Sequence, residues 1–564
     1  MRTLKVALFI LALCAVPARA AYGQQQQQTS GMLDQIVDRI VAREKAEMDT
    51  IRQFSPLVET YIQDMRVDKS EGPEPAGDTY FIGRAQLAKG VQVESLIDSG
   101  GIRKGILSGF GGIFSLGVTY MPAGFLQMIY PDMNGLDRKV YNFDYVRREF
   151  LGEVRCLVFD VTPSPKSGRG RFVGRIWVED KDFTIVRFNG AYTGSTNEKI
   201  FFHFDSWRMN TGPSLWLPAF IYSEEKDLHA TMSLGKSISF KAQTRLWGYN
   251  LGHTKQEQEL SKILVEGNAP INDQTQTNND VSPLQAQRNW DRQAEDNVVD
   301  RLERLGLLAP KGEVDEILEK VVNNLEVTNN LDIEPEIRCR VLLNSTLESV
   351  SIGHTIVLSR GLIDVLPDEA SLAAVLAEEL AHITLGHRVD TQFAFFDRVL
   401  LFNDKQTFQH FAFARTKEED EAASAKAAEL LKNSPYKDQL KTAALFFGEL
   451  QARSKEIPNL ISPRLGNAVL LSTPVPAQAN TNPQPNQIVA LPLGGRVKLD
   501  PWNDKLEMLK SKPVGSVSER EKMPFEVTPF MPYLTRQSSG LPPTNTNAEV
   551  KQDKDKQPNQ QQQQ

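Results

Sequence analysis

Between Val154 and Trp247 short runs alternate between two faces or are rich in aromatic and β-branched residues, a pattern of strands and not of a helical domain. Val154, Cys156, Val158 and Asp160 alternate with Arg155, Leu157, Phe159 and Val161. Phe172, Gly174, Ile176 and Val178 then alternate with Val173, Arg175 and Trp177. Glu179-Asp180-Lys181-Asp182 supplies a turn, and 183–188 returns as the next strand. Runs rich in aromatic and β-branched residues follow at 200–207, 215–222 and 238–247. Short strands at this spacing predict an antiparallel sheet. Upstream, Met32, Leu33, Ile36, Val37, Ile40 and Val41 recur at helical spacing. That helix is expected to continue towards Tyr61, with the change of period near Thr79, and to cover the concave face of the sheet.

The chain has 564 residues, too many for one ordinary core, so two folded domains and linkers are expected. A hydrophobic content of 40% with 24% charged residues is that of a soluble globular protein. The net charge of -7, with no block of Lys or Arg, argues against nucleic acid as a partner. Residues 1–20 read as a secretory signal peptide. Arg2 and Lys5 precede an apolar run over 6–16, and Ala18-Arg19-Ala20 supplies the small-x-small cleavage pattern. The run is too short for a stable anchor. Cys14 invites a lipoprotein reading, but Leu13 stands where a small residue is wanted. No later stretch has the length of a transmembrane helix, so a periplasmic or otherwise exported protein is expected. The remaining Cys156 and Cys339 fall in different expected domains and read as two buried thiols.

Composition divides the rest. Gln24–Gln28 is a polar spacer, 31–255 is the β-rich domain and 256–290 is a linker rich in Asn, Gln, Asp, Thr and Pro. Residues 291–470 form a second domain, and 480–564 is a low-complexity, largely disordered tail. The second domain reads as mainly helical with a short β unit. Residues 313–325 are amphipathic, while 337–343 and 354–358 read as strands. Arg360-Gly361-Leu362-Ile363 leads into Leu366-Pro367-Asp368, a helix start. The helix that follows holds Glu378-Glu379-Leu380-Ala381-His382 and closes at Gly386-His387. Taken alone, adjacent glutamates are commonly a solvated face and a lone histidine a surface or core residue. Phe393, Phe395, Phe396, Phe402, Phe408, Phe411 and Phe413 crowd the next segment, as core packing or as an apolar lid. The expected class is α+β: an N-terminal helix with a curved antiparallel sheet, then the mainly helical domain.

Two resemblances sharpen this. The helix-then-meander order, with Gly174-Arg175-Ile176-Trp177-Val178 turning into Thr184-Ile185-Val186-Arg187-Phe188, resembles the periplasmic lipoprotein-carrier fold over 31–255. That resemblance implies an acyl-chain ligand in the β domain. The run from Ile356-Val357-Leu358-Ser359-Arg360-Gly361-Leu362 through Leu372-Ala373-Ala374-Val375-Leu376-Ala377 to Leu385-Gly386-His387 resembles the gluzincin metalloendopeptidases of CAAX-prenyl-protease type, over 291–470. In that family two histidines four apart on one helix face hold zinc, and the intervening glutamate is the general base. A glutamate of a later E-x-x-A-D helix completes the ligands. The resemblance implies Glu379 as base, His382 as the second-histidine ligand and Glu419 as the third ligand. Glu378 stands where the first histidine belongs, and its spacing suits an oxygen ligand to zinc. Ala423 replaces the aspartate that closes the later motif and orients a ligand. His387 lies five residues past His382, off the same helix face. Both departures push towards weakened or absent catalysis. The expected function is an exported metalloendopeptidase-family protein with impaired or lost zinc-dependent proteolysis in envelope protein quality control. The alternative is a non-catalytic periplasmic binding protein or chaperone. Either would take protein or lipoprotein partners of the envelope.

Overall fold

Ser55-Pro56 sets where helix gives way to sheet. The first helix, α1 (31–51), stops short of the proline, which lacks an N–H and disfavours helical geometry in the residue before it. The helix expected towards Tyr61 therefore ends earlier, and Leu57–Asp68 is strand β1. Its alternation is masked because Glu59 and Gln63 share a buried face with Leu57 and Tyr61. The computed structural model describes residues 31–68, 72–96, 120–193, 202–228, 238–250, 282–389, 413, 415–461, 465, 467–468, 496–509 and 525–537. The expected signal peptide with Cys14, most of the expected 256–290 linker, the phenylalanines from 393 to 411 and the last residues of the expected tail lie outside them.

The antiparallel sheet continues with β2 (Gly72–Gln86), β3 (Gln92–Ser95), β4 (Tyr141–Leu151), β5 (Val154–Pro163), β6 (Phe172–Glu179), β7 (Ile185–Tyr192), β8 (His203–Gly212), β9 (Leu215–Leu228) and β10 (Ile238–Trp247). Its order is β3-β2-β1-β10-β9-β8-β7-β6-β5-β4, so a meander closes back on the first hairpin through the β1–β10 pair. A short helix, α2 (Pro122–Gln127), interrupts it between β3 and β4. On one face Val58, Ile62, Phe159, Phe172, Phe188 and Phe204 pack with Val37, Ile40, Met48 and Ile51 of α1. Glu44 of α1 reaches into that core and holds Arg208 of β8 in a two-pronged ion pair at 2.7 Å, both side chains fully buried.

The opposite face carries Tyr61, Trp177, Trp207, Trp216 and Trp247, and these share one core with the helical half. Burying a large apolar side chain contributes about 1.5–3 kcal/mol, so this face has no reason to stay in water. The helical half comprises α3 (Pro283–Arg304), α4 (Glu313–Thr328), β11 (Arg338–Leu342), β12 (Glu348–Ile352), β13 (Thr355–Ser359), α5 (Arg360–Val365), α6 (Glu369–Thr384), α7 (Lys417–Lys432), α8 (Leu440–Arg453), α9 (Pro458–Ile461) and β14 (Asn467–Ala468). The small sheet has the order β11-β13-β12-β14, with β11 and β13 parallel. Helix α3 opens at Pro283, inside the stretch expected as linker, because proline suits a first turn. The architecture is α+β.

Polar groups hold the two halves at a fixed angle. Glu59 of β1 accepts from Ser345 N at 2.6 Å, Ser345 Oγ at 2.7 Å and Tyr80 Oη at 2.7 Å. Arg360, fully buried at the start of α5, lies 3.6 Å from Glu59 and 3.2 Å from Asp364. Gly361 beside it has no room for a Cβ, which would meet the Ser345 carbonyl. Asp78 of β2 accepts from the backbone N–H groups of Asn459 and Leu460 at 2.9 and 2.8 Å, and Trp247 Nε1 donates to Gly306 O at 2.9 Å. Two pieces of the compositional tail also fold. Residues 496–509 form the hairpin β15 (Val497–Leu499) and β16 (Leu506–Met508), and 525–537 crosses the tryptophan-bearing face. Sparse apolar residues, Val497, Leu506, Phe525, Val527 and Leu534, anchor them, too few to shift the average composition.

Arg360→Ala takes from Glu59 and Asp364 the cation that contacts both, leaving the charge of Arg245 on β10 nearby. We expect a loss of about 3–5 kcal/mol in chemical denaturation. A loss below about 1 kcal/mol would show that the junction does not depend on this residue.

Candidate metallopeptidase-like site

Asp368 starts α6 by accepting from Ser371 N at 2.8 Å, as the Pro367-Asp368 pair predicts. The helix is apolar almost all round, with Ala373, Ala374, Ala377, Leu376, Leu380 and Ala381 buried, so its polar residues enter the core with it. Glu378, Glu379 and His382 are 5%, 1% and 0% exposed. They are not the solvated face that adjacent glutamates usually make.

The two glutamates face different neighbours. Glu379 turns to β12, where Ser349 Oγ donates to its Oε1 at 2.6 Å. Burial raises its proton affinity, opposed by Ser349, by the Arg415 charge and by Ser351. Glu378 turns to α7, where Ser424 Oγ donates to its Oε1 at 3.0 Å. Burial pushes its carboxyl up to about 9, opposed by the Ser424 bond and reinforced by the charges of Glu379 and Asp420. It is therefore a neutral acid at pH 7.

His382, one turn on from Glu378, has its Nδ1 2.9 Å from His387 Nδ1. Burial, then the Arg415 and His387 charges, lower it to about 3, so the ring is neutral at physiological pH. Its Nε2 stands 3.8 Å from Asp420 Oδ1, too long for a hydrogen bond. In the Nδ1–Nδ1 contact one ring donates and the other accepts, and His382 Nε2 is buried without a hydrogen-bond partner. His387 comes within reach because Gly386, at φ +75°, turns the chain back after α6. The expectation that His387 points off the face assumed a continuing helix.

Glu419 is engaged elsewhere. It is the third residue of α7, and its Oε2 accepts from Thr416 N at 3.0 Å and Thr416 Oγ1 at 3.2 Å, closing a capping box. Those bonds lower its carboxyl. The next residue, Asp420, is the one that approaches His382. Ala423 is fully buried in the helix contact. Among the described residues no three His, Cys, Asp or Glu side chains come together in a group able to hold a metal ion.

A guanidinium provides positive charge here. Arg415 donates through Nη2 to Ser351 O at 2.8 Å and Ser351 Oγ at 3.2 Å on β12. Its field lowers the proton affinity of Glu379, Glu419 and Asp420 and keeps His382 neutral. Reading the helix motif alone misses Arg415, Asp420, Ser349, Ser351 and Ser424. Their signals are slight: the alternation Ser349-Val350-Ser351, and Asp420 and Ser424 four apart on one helix face.

The Glu378 shift has a testable consequence. Its value in the folded chain exceeds its ordinary 4.5, so the unfolded chain loses this proton first as pH rises. The stability it contributes is full below pH 4.5 and falls until about pH 9, by about 3 kcal/mol at pH 7. Glu378→Gln keeps the Ser424 bond without the ionisation. It should equal the parent near pH 4.5 and exceed it by about 3 kcal/mol at pH 7 in denaturant titrations. Parallel pH curves for the two proteins would refute a protonated Glu378.

No curated protein matches the chain. Residues 349–443, from β12 through α7 to the start of α8, match Peptidase family M48, and on that match this segment is a metallopeptidase-family domain.

Proposed function

We propose that this chain is an exported relative of the gluzincins of CAAX-prenyl-protease type that holds envelope proteins rather than cutting them. Peptidases of the matched family are typically zinc-dependent. The residues present fit that metal only in part. Glu378 Oε2, Glu379 Oε2 and His382 Nε2 are buried without a hydrogen-bond partner, but a carboxyl stands in the first-histidine position and Glu419 is spent on its helix cap. The observation that carries the reading is this diversion of Glu419, with Arg415 beside Glu379 as a resident cation. Were zinc held, Glu379, His382, Glu378 and Glu419 are the residues the resemblance nominates, and the metal would supply Lewis acidity and an acidic water. Glu419 would first have to leave its cap at Thr416, whereas Glu378 Oε2, Glu379 Oε2 and His382 Nε2 have no hydrogen-bond partner to leave.

Without that chemistry, Glu379 has a structural part. Its bonds to β12 and the charge of Arg415 tie α6 to the strand, as Glu378 and Ser424 tie α6 to α7. The export rests on the signal-like pattern at 1–20. Among the described residues no helix is long and apolar enough to cross a membrane. On this reading the partners are proteins or lipoproteins of the cell envelope, acting in its quality control. The β domain, with its helix-covered face, is the place for an acyl chain.

Casein degradation by the parent and by Glu379→Gln tests the reading. Equal, background rates are expected. Cleavage by the parent that the substitution abolishes would establish a working peptidase. Mass spectrometry of lipid extracted from the purified protein tests the acyl-chain part; we expect a bound acyl lipid, and a lipid-free protein would remove it.

A further inference from the structure

Residues 525–537 lie across the outer face of the large sheet in a manner that depends on main-chain atoms. Gln63, a fully buried amide on β1, spends both ends on this segment: Nε2 donates to Phe525 O at 2.6 Å, and Oε1 accepts from Val527 N at 2.7 Å. Further along, Glu153 N donates to Leu534 O at 2.8 Å, and Asn210 Oδ1 accepts from Gln537 N at 2.6 Å. Gly152, at φ +65°, stands under Leu534, where a Cβ would strike the Leu534 backbone. Side chains add apolar seats. Phe525, Val527 and Leu534 are fully buried, Phe525 packs on Phe446 of α8 at 5.8 Å and Phe530 on Phe220 of β9 at 5.4 Å. Two ion pairs, Lys241–Glu526 and Arg536–Glu179, fix the register.

We infer that this trough, which runs from β1 and α8 across β10, β9 and β8 to the β4–β5 turn, is a binding site for polypeptide, and that 525–537 is its occupant in cis. Main-chain atoms are common to every sequence, so the Gln63, Glu153 and Asn210 contacts accept any chain that takes the φ +58° bend at the Phe525 position. The seats select an aromatic residue, an apolar one two positions later and another nine positions later. A partner chain with unfolded, apolar segments meets that description. Without an occupant, Gln63 would keep only the 3.3 Å bond from Nε2 to Tyr61 Oη and would exchange its two main-chain bonds for water. This deepens the holding role proposed above and rests on it for its purpose, but the binding itself needs no statement about proteolysis.

The full chain with a protease site inserted between residues 509 and 525, cut after purification, gives the test. A labelled peptide of the sequence 525–537 is added and its anisotropy followed. The cut chain should keep its tryptophan emission and take up the peptide saturably. The uncut chain should resist, because its own segment is tethered at high effective concentration. Gln63→Ala in the cut chain should weaken uptake about tenfold through two lost hydrogen bonds. An unrelated peptide with the same three apolar positions should compete, and one with alanine at all three should not. A cut chain that stays folded and takes up no peptide overturns the inference. So does one that loses its tertiary structure on cutting, because the segment is then an inseparable part of the core. Casein cleavage by the parent would overturn the non-cleaving role and leave the peptide site standing.

Discussion

A charged side chain withdrawn from water has to be answered inside the protein, and Arg360 is answered from both halves of this chain at once. Glu59 comes from the first strand of the large sheet and Asp364 from the helix that Arg360 itself begins. Arg360 and Asp364 pair within the helical half, and Glu59 reaches the same cation from the sheet. The tryptophan-bearing face and the helical half are thereby pressed into a single core. Position follows from that. The small sheet grows out of Ser345 and Ser359, and α6 lies where β12 and α7 can supply serines to its two glutamates.

The same rule governs the metallopeptidase-like site, with a different answer. Burying Glu378, Glu379 and His382 on one helix would be costly if all were charged. In a zinc peptidase the metal offsets that cost. Here the charges are removed or shared: Glu378 keeps its proton, His382 stays neutral, Glu379 leans on serines, and the Arg415 guanidinium supplies the positive field. On the proposed reading a replaced histidine is only part of the difference. Ser424 and Ser349 each meet one oxygen of Glu378 and Glu379, while the second oxygen of each is buried without a hydrogen-bond partner. The β domain uses a related device within its covered face, where Arg208 meets Glu44 in the absence of solvent.

Much of this was legible in the chain itself. The period of two from Val154 onward does specify antiparallel strands, because every second side chain is apolar on each covered face. Strand β1 was not legible, since Glu59 and Gln63 look like surface residues until Ser345 and Phe525 arrive to bond them. The folded pieces at 496–509 and 525–537 were hidden in a polar composition, their anchors being few and separated by many residues. In the site, spacing brought out Glu378, Glu379 and His382 because one helix carries them. It could not reveal that Glu419 would turn to Thr416, or that Asp420 and Arg415 would take its place near His382. Those choices depend on how α7 approaches α6, which is a tertiary fact.

On the proposed reading this site stands without a metal. Elemental analysis of the purified chain, after equilibration with zinc and removal of the free ion, decides it. A zinc content near zero per chain is expected, and one zinc per chain, lost on substitution of His382, would overturn the reading.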